Sequence, residues 1–284
     1  MIFQKEIRDK AQLWEVPPDT IDKDYVLGHF LSVFSKYYGN EMVFKGGTSL
    51  RKCYFETYRF SEDLDFSSLN TDFKFDEKTL RKIAEEIYAK IGINFFYEPI
   101  KILQHNNIPK GYQVHIRYWG ANHLKNQQPL PPQRWHTKIK LEVSTEEIII
   151  LPTPKRQIFH PYSDDLCGAR SINCYTINEM VSEKLRALKQ RSYTAPRDFY
   201  DLYELTNNFS KQDWEIIKPL FLQKMEHKNL EYHSPEDLIN PEKLITVERA
   251  WLTSVAHQLT NCHQPEAKKI IETVANRIQS NLIL

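Results

Sequence analysis

One stretch constrains this chain more than any other: Phe44 to Phe66, FKGGTSLRKCYFETYRFSEDLDF. The whole chain contains only 8 glycines, so the adjacent pair Gly46 and Gly47 marks a place where the backbone needs freedom that a side chain would deny. Before the pair, Glu41 to Lys45 (EMVFK) is a short apolar run of strand length, and after it TSLRKCYFE reads as a helix. A strand that turns through two glycines into a helix gathers backbone amides and the unpaired N–H groups of a helix start at one point, which suits a phosphate. Gly46, Gly47, Thr48 and Ser49 are the residues of that turn. The plainer alternative makes Thr48 an ordinary helix N-cap.

Fifteen residues after Thr48 comes Asp63-Leu64-Asp65, with Arg59 and Ser61 in between. On a strand, residues two apart leave the same face with their backbones roughly 7 Å apart, so Asp63 and Asp65 point one way while Leu64 and Phe66 point into a core. Two carboxylates held like this converge on a divalent cation, and Mg²⁺ takes such oxygen ligands together with substrate phosphates. Alone, the Asp-x-Asp pattern reads more simply as an acidic strand edge, and it is the glycine turn upstream that favours the metal. A third carboxylate is offered by Glu142 in KIKLEV, where alternation buries Ile139, Leu141 and Val143 and leaves Lys138, Lys140 and Glu142 on the other face. Beside the Asp63 strand, Glu142 would be a metal ligand or a general base. In the later helices, Lys184 shares an apolar face with Met180, Ala187 and Leu188, while Asp198 and Asp201 lie together on the next helix. Lys184 is a candidate phosphate contact or a snorkelling surface lysine; Asp198 orients cations or serves the helix dipole.

The rest of the chain follows a shift in period. Thr20 to Tyr38 is expected to be an amphipathic helix capped by Thr20, and Phe75 to Ile91 a second. Asn94 to Leu103, Tyr112 to Trp119 and Thr137 to Val143 predict strands. Beyond Ile177 the pattern is helical: Asn178 to Gln190, Pro196 to Leu205, Trp214 to Met225, Val247 to Leu259 and Ala267 to Ile283. Together these give an α/β or α+β domain over 1–165, with a mixed sheet flanked by helices, and an α-helical domain over 166–284 that completes a nucleotide cleft. A chain of 284 residues can bury two such cores.

Composition removes several classes. The net charge of +1 excludes a strong global field toward nucleic acid or an anionic membrane. Cys53, Cys167, Cys174 and Cys262 have neither C-x-x-C nor zinc-ribbon spacing, so no cysteine-type zinc is expected, and the thiols suit a reducing compartment. No signal peptide or membrane span of about 18 apolar residues is evident, and a cytoplasmic location is expected. His115 and His136 read as structural, as does Cys262-His263 in a turn.

KGGTSLRK, RFSEDLDF, KLEVS, NEMVSEKLRALKQR and PRDFYDLYEL occur in one order, and in that order they resemble the AbiEii/AbiGii-type nucleotidyltransferase toxins of the DNA polymerase β-like nucleotidyltransferase superfamily. The resemblance covers about Thr20 to Leu205. It implies a nucleotidyltransferase fold with a helical C-terminal domain, closing over a nucleoside triphosphate (NTP) and Mg²⁺. By that likeness Gly47, Thr48 and Ser49 hold phosphates, Asp63 and Asp65 bind metal and carry catalysis, Lys184 contacts the triphosphate and Asp198 lies in the catalytic site. The residues themselves add Gly46, Arg59 and Ser61 to nucleotide binding and Glu142 as a metal-binding or catalytic carboxylate. Glu142 stands where the superfamily commonly has aspartate. The family is known for toxin–antitoxin and abortive-infection (phage defence) systems, for transfer of nucleotides to the tRNA 3′ end, and for a separate DNA-binding antitoxin as partner. Transfer to a small molecule or a protein, and nucleotide binding without turnover, stay open as other readings.

Overall fold

In the computed structural model, which describes residues 1–124, 126–191, 195–260 and 266–283, a short helix, α1 (Gln4–Trp14), leads into the long helix α2 (Pro18–Tyr38). The chain falls into two units: Met1–Glu147 with Thr153–Tyr175, and Ile148–Pro152 with Thr176–Leu284. Helix α2 begins two residues before Thr20, with Pro17 at the N-cap and no side-chain cap, because the ring of Pro18 already holds a helical φ. The expected capping role of Thr20 is therefore not used.

Nor is α2 simply amphipathic. It is buried almost all round, and its polar residues Asp22, Asp24, His29 and Ser32 are buried with the apolar ones. Each lies against a segment distant in sequence. Asp22 accepts from the amides of Ala121 (2.6 Å) and Asn122 (3.2 Å). Asp24 accepts from Arg51 Nε (2.9 Å), Lys52 Nζ (2.7 Å) and the Tyr162 hydroxyl (2.9 Å). His29 meets Cys167, and Ser32 accepts the Gly168 amide at its hydroxyl (2.7 Å). A helix inside the unit keeps polar side chains only where such partners exist.

The mixed sheet runs β1-β2-β6-β5-β3. Its strands are β1 (Met42–Lys45), β2 (Asp63–Ser68), β3 (Asn94–Tyr97), β4 (Lys101–His105), β5 (Ile108–Trp119) and β6 (Lys138–Ser144). β2 and β6 are parallel, and the other pairings are antiparallel. The single strand expected over Asn94 to Leu103 is two strands laid end to end along one edge of β5, with Pro99, which has no N–H to give, in the break. Helix α4 (Glu77–Ile91) follows β2, capped by Asp76. Between β1 and β2 run α3 (Gly46–Ser49) and a π-helical turn, Leu50–Tyr54. A small antiparallel pair, β7 (Lys155–Gln157) and β8 (Ser171–Asn173), completes the first unit.

The second unit holds α5 (Ile177–Gln190), α6 (Pro196–Leu205), α7 (Lys211–His227), α8 (Pro241–Ser254) and α9 (Ala267–Asn281). Helix α8 starts six residues before the expected Val247, because Asn240 accepts the Lys243 amide as N-cap and Pro241 occupies the first turn. The buried pair Lys224–Glu179 (2.6 Å) holds the segment Ile148–Pro152 to this unit: Glu179 accepts the amides of Ile150 and Leu151, and Lys224 donates to the Ile148 carbonyl. Cys262 and His263 lie outside the described residues.

The two buried carboxylates of α2 should behave differently when removed. Asp24→Ala leaves Arg51 and Lys52 buried without their shared anion, so urea unfolding should show a loss of roughly 3–5 kcal/mol. Burial, partly offset by the Ala121 and Asn122 amides, pushes the Asp22 carboxyl up to about 7 from 3.8. The folded state thus holds this proton more tightly than the unfolded chain; the stabilisation is complete below pH 3.8 and is lost as pH rises through about 7. Relative to the wild type, Asp22→Asn should gain in urea midpoint between pH 5 and pH 8, and a difference independent of pH would contradict the assignment.

Candidate active site

The alternation of β2 and β6 sends Leu64, Phe66, Ile139, Leu141 and Val143 into the core and leaves Asp63, Asp65, Lys140 and Glu142 on the opposite face. The parallel register pairs Asp65 with Glu142 and Asp63 with Lys140. Three carboxylates thus sit on two neighbouring strands, about 4.8 Å apart in the pairing direction. Lys140, which the sequence placed on this face without a role, reaches between them, 3.5 Å from Asp63 Oδ2 and 3.4 Å from Glu142 Oε2. Burial opposes its charge, but Asp63, Asp65 and Glu142 outweigh it and raise the Lys140 pKa. The Asp65 carboxyl is pushed up to about 6, chiefly by burial; Lys140 and Lys45 lower it, while Asp63 and Glu142 raise it further. Three carboxylates on one face of two paired strands are a hard-oxygen donor set of the type Mg²⁺ takes, so the donor chemistry fits the ion.

The glycine turn is packed against this face. Gly46 has φ +79°, and a Cβ there would come within 2.6 Å of Asp65 Oδ2. Only glycine lets the turn lie this close to the carboxylate without strain. A Cβ on Gly47 would meet Arg59 Nη2 at 2.6 Å and Ser61 Oγ at 3.0 Å, so Arg59 and Ser61 close over the second glycine. Thr48 is not the N-cap of the plainer reading: Lys45 holds that position, and the Thr48 hydroxyl donates to the Asp63 carbonyl, tying the turn to the strand that bears the carboxylates. Ser49 is fully buried, and its hydroxyl makes no hydrogen bond. Asp24 anchors the far end of the turn through Arg51 and Lys52. That anchor left no local signal, since Asp24 lies 27 residues before Arg51.

In the second unit, Thr176 caps α5 and Pro196 starts α6, and the two helices bring Lys184, Asp198 and Asp201 together. Lys184 Nζ lies 3.0 Å from Asp198 Oδ1 and 2.5 Å from Asp201 Oδ2. Arg191, not singled out in the sequence, pairs with the other oxygen of Asp198. Lys184 is thus a lysine held by two carboxylates rather than one snorkelling out to solvent.

The chain matches the family model described as nucleotidyl transferase AbiEii toxin, type IV TA system, over residues 30–274. Among solved structures it is similar to MenT4, a nucleotidyltransferase toxin from Mycobacterium tuberculosis H37Rv, with TM-score 0.58 and 20% identity over 99% of this chain and 89% of that one. It is also similar to a putative nucleotidyltransferase from H. pylori, with TM-score 0.50 and 20% identity over 90% of this chain and 95% of that one. Such likenesses establish the fold. No curated protein matches the chain. Among the described residues no helix is long and apolar enough to cross a membrane. With most of its length inside the family model, this chain belongs to the AbiEii family of nucleotidyltransferase toxins of type IV toxin–antitoxin systems.

Proposed function

We propose that the enzyme transfers a nucleotide from an NTP to a hydroxyl of RNA, such as the tRNA 3′ end, with Mg²⁺ held by Asp63, Asp65 and Glu142. The observation that carries this reading is the register of β2 against β6, which sets Asp65 beside Glu142 with Asp63 on the same face. When bound, Mg²⁺ supplies the concentrated positive charge that phosphoryl transfer requires.

The amides of Gly46 and Gly47, with Arg59 and Ser61 beside them, cradle phosphate oxygens, and Thr48 and Ser49 fix the shape of the cradle. The attacking hydroxyl adds in line to the α-phosphorus as pyrophosphate leaves, with Glu142 either completing the metal site or accepting the hydroxyl's proton. Lys184 and Asp198 belong to NTP binding: Lys184 brings charge to the triphosphate, and Asp198 keeps Lys184 and Arg191 in place. The chain's part is therefore positioning and electrostatics. The RNA acceptor rests on the family resemblance, as does a separate DNA-binding antitoxin as partner in phage defence. A cytoplasmic location agrees with such a substrate.

Incubation with an α-labelled NTP, Mg²⁺ and total RNA should place the label in RNA, and label recovered in protein or small molecules instead would overturn the acceptor. Asp63→Asn and Asp65→Asn should each lower transfer by about 10²-fold or more with an unchanged melting curve. Full activity in both variants would remove the metal assignment. Gly46→Ala should abolish transfer, because its Cβ drives into Asp65. Gly92 is the matched control: it has φ +73° with nothing within 4 Å of an added methyl, so Gly92→Ala should cost about 1 kcal/mol of stability and leave transfer intact.

A further inference from the structure

Behind the glycine turn lies a cluster that the proposed reaction does not use. His29, in the middle of α2, is fully buried; its Nδ1 lies 3.1 Å from Cys167 Sγ, and its Nε2 lies 3.5 Å from Asp164 Oδ2 without a hydrogen bond. His160, its side chain 5% exposed, has Nε2 3.0 Å from Asp164 Oδ1, and its Nδ1 is buried with no hydrogen-bond partner. The two rings meet edge to face with centroids 4.6 Å apart, walled by Tyr25 and Tyr162. The Tyr25 hydroxyl donates to Asp164 Oδ2 at 2.7 Å.

We infer that His29, His160 and Asp164 form a structural binding site for a transition-metal ion of the zinc class. One ligand atom from each residue lies within 4.8 Å of the other two. A tetrahedral ion with bonds of about 2.0–2.1 Å sets its ligand atoms about 3.3 Å apart. His160 Nε2 lies 3.0 Å from Asp164 Oδ1 and His29 Nε2 lies 3.5 Å from Asp164 Oδ2, so the carboxylate holds one oxygen near each ring at a distance close to that value. Two imidazoles and a carboxylate suit Zn²⁺, Co²⁺ or Ni²⁺ and disfavour Mg²⁺, which prefers oxygen alone. The surroundings resemble the outer shell of a metal site: the far nitrogen of His29 is engaged by Cys167, and the carboxylate also accepts from Tyr25. As a hydrogen-bonded cluster alone, the arrangement leaves the fully buried Nε2 of His29, which faces Asp164, without a hydrogen bond, which folded proteins avoid. An ion here would join α2 to the segment between β7 and β8, stabilising the first unit by binding only its folded state.

The test uses the full chain, stripped with a chelator and titrated with CoCl₂. We expect one equivalent to produce the intense visible bands of four-coordinate Co²⁺, ZnCl₂ to bleach them, and ZnCl₂ to raise the melting temperature. His160→Asn should lose both the bands and the thermal shift while keeping its circular dichroism spectrum. Asp164→Asn, whose side chain is 24% exposed, is the second variant, read in the same way should the first not fold. Only the weak absorption of six-coordinate Co²⁺, as the carboxylate face would give, overturns the inference. So do bands or a thermal shift that survive in a folded variant.

Discussion

The pairing of Asp24 with Arg51 and Lys52 is the interaction on which the placement of the glycine turn depends. All three side chains are buried, and none would be tolerated there alone. Burial favours the neutral form of Asp24, yet the two cations outweigh it and hold its carboxyl well below the usual range. Tyr162 adds a third donor from the far side. The π-helical turn is thus fastened to α2 at one end, while the Thr48 hydroxyl fastens the other end to the backbone of Asp63. Gly46 and Gly47 lie between the end of β1 at Lys45 and the fixing at Thr48, so both ends of the glycine pair are held. A turn held this way incurs little ordering cost for a ligand it would bind, which is how preorganisation favours recognition.

The carboxylate face is the opposite case, a place where the fold leaves charge unsettled. Asp65 is crowded by Asp63 and Glu142 at one sheet junction, and one lysine, Lys140, spans the group. A site made only for stability would pair these charges off, as α2 does with Asp24. Here burial, with repulsion from Asp63 and Glu142 added to it, raises the Asp65 pKa, and a bound cation would favour the charged carboxylate. The rigid turn and the strained carboxylates are neighbours because Gly46 has no side chain to keep them apart.

Much of this was legible in the sequence because it is written in local periodicity. The two-residue alternation in Asp63–Asp65 and in Lys138–Val143 gave both faces of both strands, and the scarcity of glycine singled out Gly46 and Gly47. The family, the mixed sheet and the nucleotidyltransferase assignment followed from motifs of the same local kind. What stayed hidden depends on partners far apart in the chain. Nothing in the helical pattern of α2 marks Asp22, Asp24, His29 and Ser32 as buried, and only the packing of residues 121–122, 51–52 and 162–169 against them encloses them. Cysteine spacing argued against a zinc ribbon, but it had no bearing on histidines 131 residues apart that meet through the fold. The break at Pro99 and the early start of α8 at Pro241 are smaller misses, where a proline's missing N–H or fixed φ outweighed an apolar pattern.

The helical unit shows how a sequence reading can single out residues that meet in the fold and still leave their state undecided. Lys184 was expected either to reach for a phosphate or to lie along apolar surface, yet its ammonium is held by Asp198 and Asp201, with Arg191 on the other side of Asp198. Two cations and two carboxylates alternate in this group, and each carboxylate limits where its cation can point. An anion approaching Lys184 must compete with Asp201, which is fully buried and cannot turn away to solvent. Such competition weakens the attraction for any single phosphate, but it fixes the direction from which an anion can be met. An alternating group of this kind therefore serves orientation more than affinity, the same division of labour seen in the glycine turn.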